Sequence, residues 1–202
     1  MKTWEELYDE CSSCEKCELH KTRTNCVFGV GDRNADILFV GEAPGEKEDL
    51  SGTPFVGRAG QLLDKFLFAV DIPRESIYIA NILKCRPPKN RDPKPDEEDA
   101  CMDYLREQVR LIKPKMIVCL GRIAAQRLIE PNYRITKEHG QWIQKGGFLM
   151  TAVYHPALLL RDPRKKEEML EDMKTIKSKI DRFLRLMAVG MNTAHYNQFC
   201  GF

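Results

Sequence analysis

No stretch of the 202-residue sequence reaches the roughly 18 consecutive apolar residues of a membrane-crossing helix, so none is expected. The opening run MKTWEELYDECSSC is acidic and lacks the apolar core of a secretory leader, which makes the cytosol (a cytoplasmic location) the expected compartment. Excess charge of one sign is also scarce. The 32 Lys and Arg against 30 Asp and Glu leave a net charge of +2, too little for the whole surface to attract nucleic acid. Internal repeats and low-complexity linkers are absent. One domain over 1–189 is therefore expected, with 190–202, which shows no clear period, as a loose tail. No G-x-G-x-x-G follows the first apolar run, so no dinucleotide site is expected there.

Cysteine, by contrast, is abundant. Eight are present, a high count for a compartment where disulfides are rare, and metal ligation accounts better for some of them. Cys14 and Cys17 form one C-x-x-C pair, with Cys85 and Cys101 following as singletons. Such a set suits either an all-thiolate zinc site or a [4Fe–4S] cluster, and the two unpaired members lean toward the cluster. Cys11, Cys26, Cys119 and Cys200 have no ligand-like spacing to each other, although Cys11 could stand in for Cys14. Cys119 lies within an apolar strand and reads as core.

Four short apolar runs, 35–41, 76–83, 115–121 and 148–154, read as buried strands. Helical patterns occupy 60–70, 96–112 with Asp96 as its cap, 122–129 and about 164–187. The alternation predicts an α/β fold: three layers, α/β/α, around a central, mostly parallel four-stranded sheet. Ligands in such sheets bind beyond the carboxyl ends of the strands. The first strand runs into Gly41-Glu42-Ala43-Pro44-Gly45, the second carries Asn81 and ends near Cys85, and the fourth ends at His155. Three chemically interesting segments thus converge on one edge.

Each of these residues also has a plain structural explanation. The 41–45 segment suits a tight turn. Phe55, on a Gly/Pro-rich loop, suits packing, but it can also stack on a base. Asn81 interrupts an apolar strand, on the same face as Ile77, Ile79 and Leu83. A buried amide needs partners for both its oxygen and its nitrogen, whether from backbone or from a planar ligand with adjacent donor and acceptor. His155 could donate to an oxygen gaining negative charge. The segment 84–94 carries five Lys/Arg against one Asp, and Arg86, Lys89 and Arg91 are its candidate DNA contacts.

Taken together, GEAPG, PFVGRAGQLLD, NILKCRPPKNRDP and HPALLLRDP resemble the signature blocks of the family 4, iron–sulfur type uracil-DNA glycosylases, over about residues 10–185. The resemblance implies a uracil-DNA glycosylase-like fold and hydrolysis of the N-glycosidic bond of uracil in single- or double-stranded DNA. Free uracil is the implied product, and a monomer is expected. It implies that Cys14, Cys17, Cys85 and Cys101 hold a [4Fe–4S] cluster. It also implies that Gly41, Glu42 and Ala43 line the pocket, Phe55 stacks on the flipped base, Asn81 reads its pairing edge and His155 stabilises the leaving anion. The HPALLLR segment resembles a loop that enters the minor groove, with Leu158 or Leu159 filling the gap and Arg161 on a phosphate. Where related glycosylases carry an Asp in the first block this sequence has Ala43, which makes Glu42 the candidate for positioning water. Where they carry a thymine-excluding Tyr it has Gly45, and Glu48 is the candidate substitute. A nucleic-acid-binding metal module and an electron carrier are the competing classes. Neither accounts for the polar group at the strand ends.

Overall fold

The computed structural model of the chain describes residues 2–188, so the segment read as a loose tail lies outside the described residues. Six strands, β1 (Val30–Gly31), β2 (Ile37–Gly41), β3 (Tyr78–Asn81), β4 (Met116–Leu120), β5 (Trp142–Lys145) and β6 (Phe148–Val153), form one sheet in the order β1-β3-β2-β4-β6-β5. The inner four, β3-β2-β4-β6, are parallel and are the four expected from the sequence. The two edges are antiparallel additions. Both edge strands are partly or fully exposed, so they leave no apolar run to read. β5 returns into β6 through Gly146 and Gly147, whose φ angles of 58° and 85° suit a two-residue hairpin turn.

Eight α-helices accompany the sheet among the described residues: α1 (Trp4–Ser12), α2 (Glu46–Ser51), α3 (Arg58–Ala69), α4 (Pro95–Ile112), α5 (Arg122–Leu128), α6 (Ile135–Glu138), α7 (Pro156–Arg161) and α8 (Lys166–Ala188). Side-chain alternation divides the strands between two cores. Phe39, Ile79, Val118 and Val153 pack with Leu63, Phe66 and Leu67 of α3 and Met169, Met173 and Ile176 of α8. On the other face Leu38, Val40, Ile117, Cys119 and Ala152 meet Met102 and Leu105 of α4 and Ala124 and Ala125 of α5. Each buried Leu, Ile or Phe contributes about 1.5–3 kcal/mol, so these two layers supply most of the drive to fold. The result is the three-layer α/β/α arrangement. Among the described residues no helix is long and apolar enough to cross a membrane.

Two local expectations change. Helix α4 starts at Pro95, and its cap is Lys94, two positions before the expected Asp96; Glu97 accepts from Lys94 N at 2.9 Å. Because β3 ends at Asn81, alternation stops there, and Leu83 turns into the α4/α5 core instead of sharing Asn81's face.

Candidate active site

β2 stands between β3 on one side and β4 on the other, so the connections diverge there. That divergence opens a crevice at the carboxyl ends of the parallel strands. Gly41 ends β2 and pairs directly with Asn81 at the end of β3. The missing side chain at Gly41 is what leaves room. A Cβ there would overlap Asn81 Oδ1 and stand 2.7 Å from Phe55 Cζ, so amide and ring flank the same point. Phe55 in turn lies 5.8 Å from the His155 ring, centroid to centroid, at 37°. Gly121, after β4 with φ 94°, lies under His155, where a Cβ would come within 2.8 Å of the histidine's own. Phe55 therefore neighbours both Asn81, across the space over Gly41, and His155, and that strand-end space is the candidate slot.

Asn81 is 1% exposed, and its Oδ1 is a buried acceptor with no hydrogen bond among the described residues. An unpaired buried acceptor costs about 1–3 kcal/mol, which a ligand N–H would recover. His155 caps α7: its Nδ1 accepts from Ala157 N at 3.1 Å, which leaves the ring proton on Nε2. Burial, helped by the Arg161 charge, pushes the imidazole down to about 4. It is neutral near pH 7 and presents one donor. The Glu42 carboxyl accepts no hydrogen bond from the described residues. Burial pushes it up to about 7, with Asp92 adding to the shift and Arg122 opposing it. Ala43 is half-buried and packs against the α4/α5 core.

Phe55 takes a left-handed φ of 55°, a strained backbone for a bulky residue that its surroundings must hold. Glu48 Oε1 accepts from Val56 N at 3.0 Å and Gly57 N at 2.7 Å. Arg74 donates to the carbonyls of Pro54 and Phe55, both at 3.2 Å, and pairs with Asp64. Gly60 admits the Phe55 carbonyl where a Cβ would collide with it. Sequence reading missed Arg74. Glu48, the candidate substitute for the missing Tyr at Gly45, holds this loop through Oε1, while its Oε2 lies 2.7 Å from where a Gly45 Cβ would stand.

Of the expected DNA contacts, Lys89 and Arg161 are exposed, without an ion-pair partner among the described residues. Arg86 donates to Asn90 Oδ1 at 2.8 Å. Arg91 is committed elsewhere, with two bonds of 2.8 and 2.5 Å to the buried Glu97, and drops out of the free basic set. The segment read as a groove-entering loop is the helix α7. Leu159 is wholly buried in the α3/α8 core and cannot fill a gap in DNA, while Leu160 is 37% exposed. Leu159→Ala is accordingly expected to cost about 2–5 kcal/mol of stability. Leu160→Ala should leave the Tm within about 2 °C of the parent, since surface changes rarely exceed about 0.5 kcal/mol. Thermal melts of the two variants check this.

Cys14, Cys17, Cys85 and Cys101 line one pocket between the end of α1, the segment after β3 and α4, together with Cys11, Lys84 and Tyr104. Among the described residues no three His, Cys, Asp or Glu side chains are spaced to hold a single metal ion. Burial pushes the Cys85 thiol up to about 12 and that of Cys101 up to about 11. Arg23 donates to Cys85 Sγ at 3.2 Å and to Ser12 O at 2.8 Å. Lys84, fully buried, donates to Asn81 O at 2.9 Å, Phe28 O at 3.2 Å and Gln108 Oε1 at 2.7 Å, joining this region to the base of the slot.

Residues 28–175 match the family model described as the uracil DNA glycosylase superfamily. A type-4 uracil-DNA glycosylase of Archaeoglobus fulgidus is 47% identical over 186 residues, covering 87% of this chain and 92% of that protein. Another, from Thermotoga maritima, is 43% identical over 192 residues, covering 90% and 99%. A type-5 uracil-DNA glycosylase of Pyrobaculum aerophilum is 32% identical over 146 residues, 64% of each chain. With the fold, the strand-end slot and these likenesses in agreement, the chain belongs to the uracil DNA glycosylase superfamily and is of the type-4 kind.

Proposed function

We propose that this protein flips uracil out of DNA and hydrolyses its N-glycosidic bond, leaving an abasic site. The observation that carries the reading is the buried, unpartnered Asn81 Oδ1 beside Phe55 and His155. Uracil N3–H is a donor next to the O4 acceptor, so it satisfies Oδ1 while Asn81 Nδ2 faces O4. Cytosine offers a lone pair at N3 and an amine at position 4, the reverse pattern, which this amide orientation leaves mispaired. The base stacks on Phe55. As the C1′–N1 bond lengthens, negative charge grows on the uracil ring, and neutral His155 Nε2–H donates to O2. Glu42, as a carboxylate, holds the water that attacks C1′.

Flipping costs a few kcal/mol, and phosphate contacts help to hold the distorted strand. Lys89, Arg86 and Arg161 supply these contacts, with exposed Leu160 in the place expected of Leu158 or Leu159, since Leu158 packs partly buried against the α3/α8 core. The four thiols fit a [4Fe–4S] cluster. They line one pocket, and a cubane takes four thiolates, one for each iron. Bound there, the cluster supplies a covalent tie between the N-terminal segment and the basic loop and holds the thiols as thiolates. Iron and acid-labile sulfide assays of the purified protein test this assignment.

The activity is tested by incubation with an oligonucleotide bearing one uracil, followed by alkali. Breakage at uracil and not at cytosine is expected; an intact strand overturns the reading. The acid limb of the pH profile adds a prediction. A carboxylate holding water works only when ionised, so the rate should be full above about pH 7 and fall about tenfold per unit below it. Glu42→Gln should lower the plateau by roughly 10²-fold and abolish that limb. An unchanged profile in the variant would remove Glu42 from its role.

A further inference from the structure

Two sulfurs outside the proposed set of four ligands face each other: Cys11 Sγ, at the edge of the cysteine pocket, and Cys26 Sγ stand 3.4 Å apart. Cys11 lies in the last turns of α1, buried with Leu7, Phe28 and Tyr104. Cys26 is half-buried, on the stretch leading to β1. The chain between them carries Cys14 and Cys17. Directly after Cys26, Val27 N donates to Lys84 O at 2.8 Å, so that stretch is already fastened to the residue before Cys85. We propose that Cys11 and Cys26 form a disulfide at the expense of a low-molecular-weight disulfide, closing residues 11–26 into a covalent loop that presents Cys14 and Cys17.

The steps balance as thiol–disulfide exchange. Cys26, the more accessible, loses its proton and attacks one sulfur of the oxidant, expelling a first small thiolate. Cys11 then loses its proton and attacks Cys26 Sγ, forming the protein disulfide and expelling the second. Two protein thiols are oxidised, one small disulfide is reduced to two thiols, and the two protons end on those products. The sulfurs must close by roughly 1.4 Å to reach the ~2.05 Å of a bond, a shift within the range of side-chain rotation. Burial of Cys11 shields it from other reagents and leaves Cys26 as its route to oxidation.

The test incubates the purified full-length chain with oxidised glutathione, then denatures, alkylates and digests it. Cleavage after Lys16 and Arg23 separates the two cysteines unless they are bonded. A linked Cys11–Cys26 peptide pair is expected, with a Tm about 5–10 °C above that of the dithiothreitol-treated chain. Cys26→Ser and, separately, Cys11→Ala should lose both the linked pair and the redox-dependent difference in Tm. Alkylation of both cysteines in the oxidant-treated parent chain, or a bond from Cys11 to Cys14 or Cys17, overturns the proposal. Iron content of the same samples reports on the cluster separately, so its absence leaves the disulfide result interpretable.

Discussion

Asn81→Ala is expected to slow single-turnover excision of uracil by about 10³-fold while DNA affinity changes by less than about threefold. The asymmetry follows from where the amide sits. It is buried at the end of β3, opposite Gly41, so under the proposed function it would meet the base only after the nucleotide has left the helix. Two buried hydrogen bonds to the pairing edge are worth roughly 1–3 kcal/mol each. Phosphate contacts dominate affinity, and the proposal assigns them to other residues. Truncation also removes the unpaired acceptor, so the Tm should hold or rise slightly. Burst experiments with enzyme in excess, together with filter binding of the same oligonucleotide, separate the two quantities. A rate within tenfold of the parent, or matched losses of rate and affinity with a lowered Tm, would remove Asn81 from base recognition.

His155→Ala is the second large effect, a fall of about 10²–10³ in single-turnover rate, the usual worth of one donor aimed at developing negative charge. The cap fixes how the ring works. With Nδ1 accepting from Ala157 N, only Nε2 is free to donate. With the ring held down to about 4, the neutral form persists at physiological pH. Protonation would put a hydrogen on Nδ1 against the Ala157 amide, so the histidine should lose function only as the pH falls through about 4. That is well below the Glu42 limb near 7. His155→Gln retains a donor of similar reach and should recover part of the rate. Equal rates in the Gln and Ala variants would mean that donation is not the role of this side chain.

The four inner strands were legible because parallel strands are buried on both faces and read as continuous apolar runs. The edges were not, since β1 spans two exposed residues and β5 is half solvated. The slot was legible in outline, because Gly41, Asn81 and His155 fall at strand ends and the fold rule brings strand ends together. The orientation of Leu159 was recoverable. Once 156–161 is helical, Pro156 and Leu159 share the inner face and Leu160 points outward. Helix α7 was missed because its cap is a histidine and its first residue a proline, a pairing that also reads as a turn. Arg74 left no local signal, because its bonds to the Phe55 loop span 19 and 20 positions. Arg91 read as free because nothing in a basic run shows that Glu97, six residues on, is buried and claims it.

A crystal structure of the protein with free uracil bears most directly on the slot. The base should lie against Phe55, with N3 about 2.7–3.2 Å from Asn81 Oδ1 and O2 facing His155 Nε2. Uracil bound elsewhere, or turned so that another edge meets Asn81, would contradict this account of how the base is read.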